Sequence, residues 1–170
     1  MKQVINKLIA HLELYYKEAN AELEAAGSLP LEQLEIKVLG QFSLMLSEST
    51  SQVLQIAATK DVDALLSGDT AMKLEAKRAL RKLELEYDEL SKEIWIPETA
   101  TFSEYYTSSA LIILVIDPFS TLTAKAKFAL EKNRQLLLQA ISVYEEELLS
   151  VFRKYDVNIN ALFMKDGDES

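Results

Sequence analysis

The segment from Leu111 to Ile116 constrains the fold more than any other, because every residue in it is apolar. A strand with one face in water alternates apolar and polar residues, whereas a strand that is apolar on both parities needs cover on both faces. The segment therefore predicts a strand in the interior of a sheet. A run of this length is far too short to cross a bilayer as a helix, which takes about 20 residues, and no membrane span is expected.

Amphipathic segments elsewhere in the chain predict helices that cover this sheet. Residues 2–26 repeat apolar side chains at three- and four-residue steps until Gly27 ends the pattern. Residues 70–94 show the same periodicity, and residues 120–154 predict one long or once-broken helix. A second strand is expected around residues 102–106.

These elements together predict an α/β (α+β) fold in which amphipathic helices flank a small mixed sheet. The chain has 170 residues, of which 49% are hydrophobic and 26% are charged, as in an ordinary globular domain. We therefore expect a single domain over residues 1–170.

Composition excludes several kinds of function. The formal net charge of −9 argues against a broad nucleic-acid surface, which is normally basic. The chain has no cysteine and one histidine, His11, so thiolate chemistry is excluded and a zinc site is not expected. Polar residues such as Asn6 and Lys7 interrupt any apolar signal core after Met1, so a cytoplasmic location is expected.

Two carboxylates lie two residues apart in the segment from Ala57 to Leu66, which is predicted to be a strand. Side chains at i and i+2 leave a strand on the same face, so Asp61 and Asp63 point together with Cα atoms roughly 6.5–7 Å apart. Converging carboxylates suit a hard cation such as Mg²⁺, which is usually held by one or two carboxylates plus substrate phosphates. The alternative is a solvated strand end in an acidic protein.

The segment that precedes this pair has the pattern of a phosphate-binding turn. Residues 34–39 alternate as a strand does, Gly40 follows, and a helix is predicted to begin there. A strand, a tight glycine turn and a helix N-terminus expose backbone N–H groups that suit a phosphate.

Asp117 stands at the end of the predicted interior strand and leaves two interpretations open. Its carboxylate is a candidate third ligand for the metal. Alternatively, the sequence from Asp117 through Pro118 to Ser120 turns the chain and starts the next helix, as such residues commonly do.

Taken in order, these motifs resemble the polymerase-beta-like nucleotidyltransferase superfamily, and within it the small bacterial domains related to abortive-infection toxins. Those domains have a glycine turn, then Thr-x-Asp-x-Asp, then a strand that ends near a proline, and finally a helix with two lysines and an aspartate. The corresponding pieces here are Gly40–Leu44, Thr59–Asp63, Leu111–Pro118, Lys125 and Lys132. Two positions depart from the pattern: Gln41 stands where the family has a second glycine, and Asn133 stands where it has the aspartate.

The resemblance implies a nucleotidyltransferase-like fold and a role for each matching residue. It implies Mg²⁺ at Asp61, Asp63 and Asp117, and a nucleoside triphosphate against Gly40, Gln41 and Ser43. It implies catalytic roles for Asp61, Asp63, Lys125 and Lys132. The two lysines are seven residues apart, which predicts that they share one face of one helix.

The implied reaction transfers a nucleoside monophosphate from the triphosphate to an acceptor, which could be a protein, a tRNA or a small molecule. The two departures at Gln41 and Asn133 leave an alternative open. In it the chain is a catalytically degenerate interaction protein with the same fold, in a toxin–antitoxin or phage-defence system.

Overall fold

The computed structural model describes residues 2–88 and 94–164, and within them an α/β fold is built from a five-stranded mixed sheet with helices packed around it. The elements in chain order are α1 (Lys2–Ala25), β1 (Leu34–Val38), α2 (Gly40–Leu46), α3 (Glu48–Ser51), β2 (Asp61–Gly68), α4 (Thr70–Lys82), β3 (Glu86–Asp88), β4 (Phe102–Thr107), β5 (Leu111–Ile116), α5 (Pro118–Phe128), α6 (Leu130–Lys154) and α7 (Ile159–Phe163).

The strand order is β3-β2-β1-β5-β4, with β1 at the centre. Strand β1 runs parallel to β5 and antiparallel to β2, while β3 is parallel to β2 and β4 is antiparallel to β5. The predicted interior position of residues 111–116 is confirmed, because β5 lies between β1 and β4. The carboxyl ends of β1 and β5 and the amino end of β2 consequently meet at one edge of the sheet.

Two hydrophobic clusters hold the helices. In the first, α1 and α4 pack with the sheet, and in the second, α5, α6 and α7 pack together. Helix α2 is anchored in both, because Phe42 belongs to the first cluster and Leu44 to the second. This double anchorage fixes the turn at Gly40, where α2 begins.

The prediction of a helix over residues 2–26 is confirmed, and the region predicted as one long or once-broken helix over residues 120–154 is helical but interrupted twice. Helix α1 ends at Ala25, and Gly27 follows with a φ of 71°. The later helical region is interrupted at Ala129, whose φ of −146° and ψ of 43° separate α5 from α6. A second departure from helical geometry occurs inside α6 at Tyr144.

The prediction of one helix over residues 70–94 is wrong. Helix α4 ends at Lys82, Glu84 adopts a φ of 60°, and residues 86–88 form the short strand β3. Tyr87, which fitted the helical apolar pattern, instead packs against the first cluster from a strand. Residues 89–93 of the predicted helix lie outside the described residues.

Strand β2 is shorter than predicted at its amino end. It begins at Asp61 instead of Ala57. The residues before it include two alanines and a lysine, which are depleted in strands. The ladder starts only at Asp61, where β3 becomes available as a partner through the pairing of Asp61 with Glu86.

Across residues 2–88 and 94–164, none of the helices combines the length and the apolarity that crossing a membrane requires.

The end of α4 at Lys82 can be tested by a substitution at Glu84. Backbone N–H groups of Glu84 and Leu85 donate to the carbonyls of Arg81 and Leu80, which is the Schellman arrangement that α1 also uses with Gly27 in the left-handed position. Because glycine adopts this conformation without strain, we expect Glu84→Gly to raise the free energy of unfolding by about 0.5–1 kcal/mol.

Urea denaturation measures this change. If the helix continued through residue 84, Glu84→Gly would instead lower the free energy of unfolding by about 1 kcal/mol. Lys73→Gly, inside α4, is the control that should show this loss.

Candidate functional site

Asp61 and Asp63 project from the same face of β2. Val62 lies between them and is buried in the first hydrophobic cluster, so the two carboxylates leave the strand on the opposite side. Both line a cavity of about 690 Å³ at the sheet edge where β1 and β5 end. The sequence-based prediction that the pair shares a face beside the glycine turn is confirmed.

The turn at Gly40 is in direct contact with Asp63. The backbone N–H of Leu39 donates to the carbonyl of Asp63 at 2.8 Å. Gly40 has a φ of 60°, and a Cβ at this position would lie 2.3 Å from Oδ2 of Asp63 and 3.1 Å from its Cγ. Any other residue would have to displace this carboxylate and adopt a left-handed backbone that favours glycine.

Ser43 supports the turn from inside the fold. Its side chain is fully buried, and its hydroxyl donates to the carbonyl of Gly40 at 2.5 Å and hydrogen-bonds the hydroxyl of Thr121 at 2.8 Å. Of the three residues predicted to contact a phosphate, Gly40 and Gln41 line the cavity, whereas Ser43 does not and instead connects the turn to α5.

Lys125 and Lys132 both line the cavity, but from two helices. The prediction that they share one face of one helix is wrong, because the break at Ala129 places Lys125 on α5 and Lys132 on α6. Asn133 stabilises this break. Its amide nitrogen donates to the carbonyl of Ala129 at 2.9 Å, and its amide oxygen accepts from Nζ of Lys125 at 3.5 Å.

The side chain of Lys125 is half-buried in the cavity wall. Burial lowers the pKa of Lys125 below its usual value, the negative charge of Asp63 opposes that shift, and the positive charge of Lys132 adds to it. The charges of Asp63 and Lys132 therefore both act on the amine of Lys125 inside the cavity.

The rest of the cavity wall combines the predicted contact residue Gln41 with an apolar surface that the sequence did not predict. Gln41 donates from its amide to the carbonyl of Ala57 at 2.7 Å, which ties the turn to the loop before β2. The opposite wall is apolar and comprises Ile94, Trp95, Ile96, Ile116, Ala124 and Phe128. Residues 94–96 lie at and beyond the end of the segment predicted as a helix, so the sequence did not indicate that they line a cavity. The one available sign of a binding role was that Trp95 is the only tryptophan in the chain.

Asp117 caps helix α5. Its Oδ1 accepts from the N–H of Ser120 at 2.9 Å, and its Oδ2 accepts from the N–H of Thr101 at 2.9 Å and from the hydroxyl of Ser120 at 2.6 Å. Of the two interpretations left open by the sequence, this geometry supports the turn and helix start. Asp117 does not line the cavity with the other predicted site residues.

The donor set in the cavity fits Mg²⁺ better than a transition metal. Within the described residues, no group of three or more histidine, cysteine, aspartate or glutamate side chains is arranged to hold a metal ion. Two carboxylates on one face are nonetheless what Mg²⁺ commonly takes from a protein, the remaining positions being filled by substrate phosphates and water.

Comparison of the chain with protein-family models, with curated proteins and with solved structures finds no match.

The contact between Gly40 and Asp63 can be measured with a double-mutant cycle on the free energy of unfolding. We expect Gly40→Ala to lower the free energy of unfolding by about 1–2 kcal/mol, because the new Cβ meets Asp63 and the backbone is left-handed. Asp63→Ala removes the atoms nearest to that Cβ, so the double variant should recover part of the loss.

Gly27→Ala is the matched control in urea denaturation. Gly27 also has a positive φ, of 71°, but a Cβ there meets nothing within 4 Å. The changes in the free energy of unfolding caused by Gly27→Ala and Asp63→Ala should therefore add. If the changes caused by Gly40→Ala and Asp63→Ala also added, the contact between Gly40 and Asp63 would be contradicted.

Capping by Asp117 predicts a specific order of two substitutions. Asp117→Ala should cost about 0.5–2 kcal/mol of stability, and Asp117→Asn should cost less, because asparagine also accepts the hydrogen bond from Ser120. Thermal melting with and without Mg²⁺ and nucleotide is the measurement. A metal ligand would behave differently, since Asn and Ala would then reduce the ligand-dependent stabilisation to a similar extent.

Proposed function

We propose that this chain is a Mg²⁺-dependent nucleotidyltransferase-like protein, which transfers a nucleoside monophosphate from a nucleoside triphosphate to an acceptor. The observation that carries the proposal is convergence. Asp61, Asp63, Lys125, Lys132 and the Gly40 turn come from separate segments of the chain and line a single cavity.

The proposed roles follow from charge and position. Asp61 and Asp63 would hold the metal ion. When bound, Mg²⁺ neutralises phosphate charge and orients the triphosphate for displacement. Lys125 on α5 and Lys132 on α6 would offset the remaining negative charge, while the turn that begins at Gly40 would cradle the phosphates.

The reaction itself needs little further chemistry from the protein. An acceptor hydroxyl attacks the α-phosphorus in line and gives up its proton to water, the bond from that phosphorus to the bridging oxygen breaks, and pyrophosphate leaves. Phosphoryl-type transfers depend mainly on positioning and electrostatic stabilisation, which this cavity can provide. Protein, tRNA and small-molecule acceptors are all compatible with the proposal.

The alternative is a catalytically degenerate protein that keeps the fold and acts through interactions, in a toxin–antitoxin or phage-defence system. One observation favours it. Gln41 occupies the position of the family's second glycine, and its side chain bonds to Ala57 at the rim of the cavity, where a phosphate would need access. This alternative predicts no Mg²⁺-dependent nucleotide binding.

Asp63→Asn separates the two functions. The substitution keeps the shape of the side chain and removes one metal-binding charge, so we expect Mg²⁺-dependent triphosphate affinity to fall at least tenfold. Stability should change little, because lost attraction to Lys125 opposes relieved repulsion from Asp61. Isothermal titration of ATP, GTP, CTP and UTP, with and without Mg²⁺, measures the affinity.

Asp69→Asn is the matched control for this experiment. Asp69 caps α4 by accepting from the N–H of Met72, and asparagine is an equally good cap, so nucleotide affinity and stability should both stay close to those of the native chain. If the native chain binds none of the four nucleotides at millimolar concentration with Mg²⁺, the interaction-protein alternative stands instead.

A further inference from the structure

The cavity has two chemically different parts. One part carries Asp61, Asp63, Lys125 and Lys132, and the facing part is the apolar wall around Trp95 defined above. A ligand that fills both parts must have a charged portion and a flat or apolar portion. The volume of about 690 Å³ is within the range of about 300–1,000 Å³ that small-molecule sites occupy.

Trp95 is held in a fixed orientation at this wall. Its ring contacts those of Phe128 and Tyr155 edge-to-face, with centroids 5.5 Å and 5.3 Å apart. Tyr155 is itself anchored, because its hydroxyl lies 2.7 Å from that of Thr99. Nζ of Lys127 donates to the carbonyl of Tyr155 at 2.8 Å and lies 5.9 Å from the centroid of Trp95.

Core packing does not account for this aromatic group. Trp95 and Phe128 lie outside the two hydrophobic clusters into which the described residues gather, and Phe128 is 64% exposed. A large aromatic side chain left in water beside a cavity is unfavourable unless something covers it, and it is therefore more informative than a buried one. The bracing of Trp95 prepares a flat surface in advance of binding.

We infer that Trp95, with Phe128 beside it, stacks on the base of the bound nucleotide. The inference rests on the proposed function and extends it, since it assigns the apolar part of the cavity to the base and the charged part to the triphosphate. Every nucleobase has a π-face, so an aromatic platform can bind any of the four.

Inorganic triphosphate is the probe that separates the phosphates from the nucleoside. It carries the charged portion of the ligand alone, so its Mg²⁺-dependent binding reports on Asp61, Asp63 and the two lysines. ATP carries the ribose and the base as well, and the response of Trp95 then distinguishes the base from the ribose. Because Trp95 is the only tryptophan, its intrinsic fluorescence reports directly on stacking. We expect MgATP to quench this fluorescence and magnesium triphosphate to leave it nearly unchanged.

Calorimetric titration of full-length variants gives the quantitative test. Trp95→Ala should weaken MgATP binding by roughly 5- to 100-fold, the range expected for loss of one stacking contact, while magnesium triphosphate affinity changes less than twofold. Trp95→Phe should restore most of the ATP affinity. Phe163→Ala is the control, because Phe163 is an exposed aromatic residue on α7, away from the cavity.

Phe128→Ala keeps the test decisive if Trp95→Ala does not fold, because a residue that is 64% exposed contributes little to stability. It should weaken MgATP by a few-fold and spare triphosphate. Equal effects on both ligands, or no effect on either, would overturn the inference and leave the proposed function intact. Failure of the native chain to bind either ligand would overturn both.

Discussion

The contact between the Gly40 turn and Asp63 joins the elements that carry most of the polar residues of the cavity. The hydrogen bond from the N–H of Leu39 to the carbonyl of Asp63 joins β1 to β2 at the sheet edge, and the missing Cβ at Gly40 lets the turn approach the carboxylate. Helix α2 begins in this turn and is anchored in both hydrophobic clusters, while Ser43 links the turn to α5 through Thr121. A change at this contact therefore reaches β2, α2 and α5, each of which contributes residues to the cavity.

The charge of the cavity differs from that of the chain. A net charge of −9 repels an anionic nucleotide at long range, whereas Lys125 and Lys132 supply positive charge where the phosphates would lie. The two lysines cannot offset both the local carboxylates and a triphosphate. A divalent cation resolves this imbalance, and for that reason the proposed binding depends on Mg²⁺. Partial burial is the main cause of the lowered pKa of Lys125, and the negative charge of Asp63 opposes it.

Sequence patterns predicted the features that depend on near neighbours in the chain. The interior strand at residues 111–116, the end of α1 at Gly27 and the shared face of Asp61 and Asp63 all follow from local periodicity or turn chemistry. The remaining features depend on tertiary contacts. Tyr87 fits a helical and a strand period equally, and pairing with β2 decided between them. Lys125 and Lys132 reach one cavity because a break at Ala129 reorients the chain. The place of Trp95 depends on partners in α5 and beyond α6.

Gly40 has a structural explanation, so its presence is weak evidence for phosphate binding. Because a Cβ at position 40 would collide with the carboxylate of Asp63 and the backbone there is left-handed, the fold favours glycine whether or not a phosphate binds there. The exposed charges of Asp61 and Lys132 have no comparable structural explanation, since exposed charges contribute little to stability. The same holds for the exposed ring of Phe128. Asp61, Lys132 and Phe128 do not help the chain to fold, yet they meet in one cavity. Ligand binding would explain their positions.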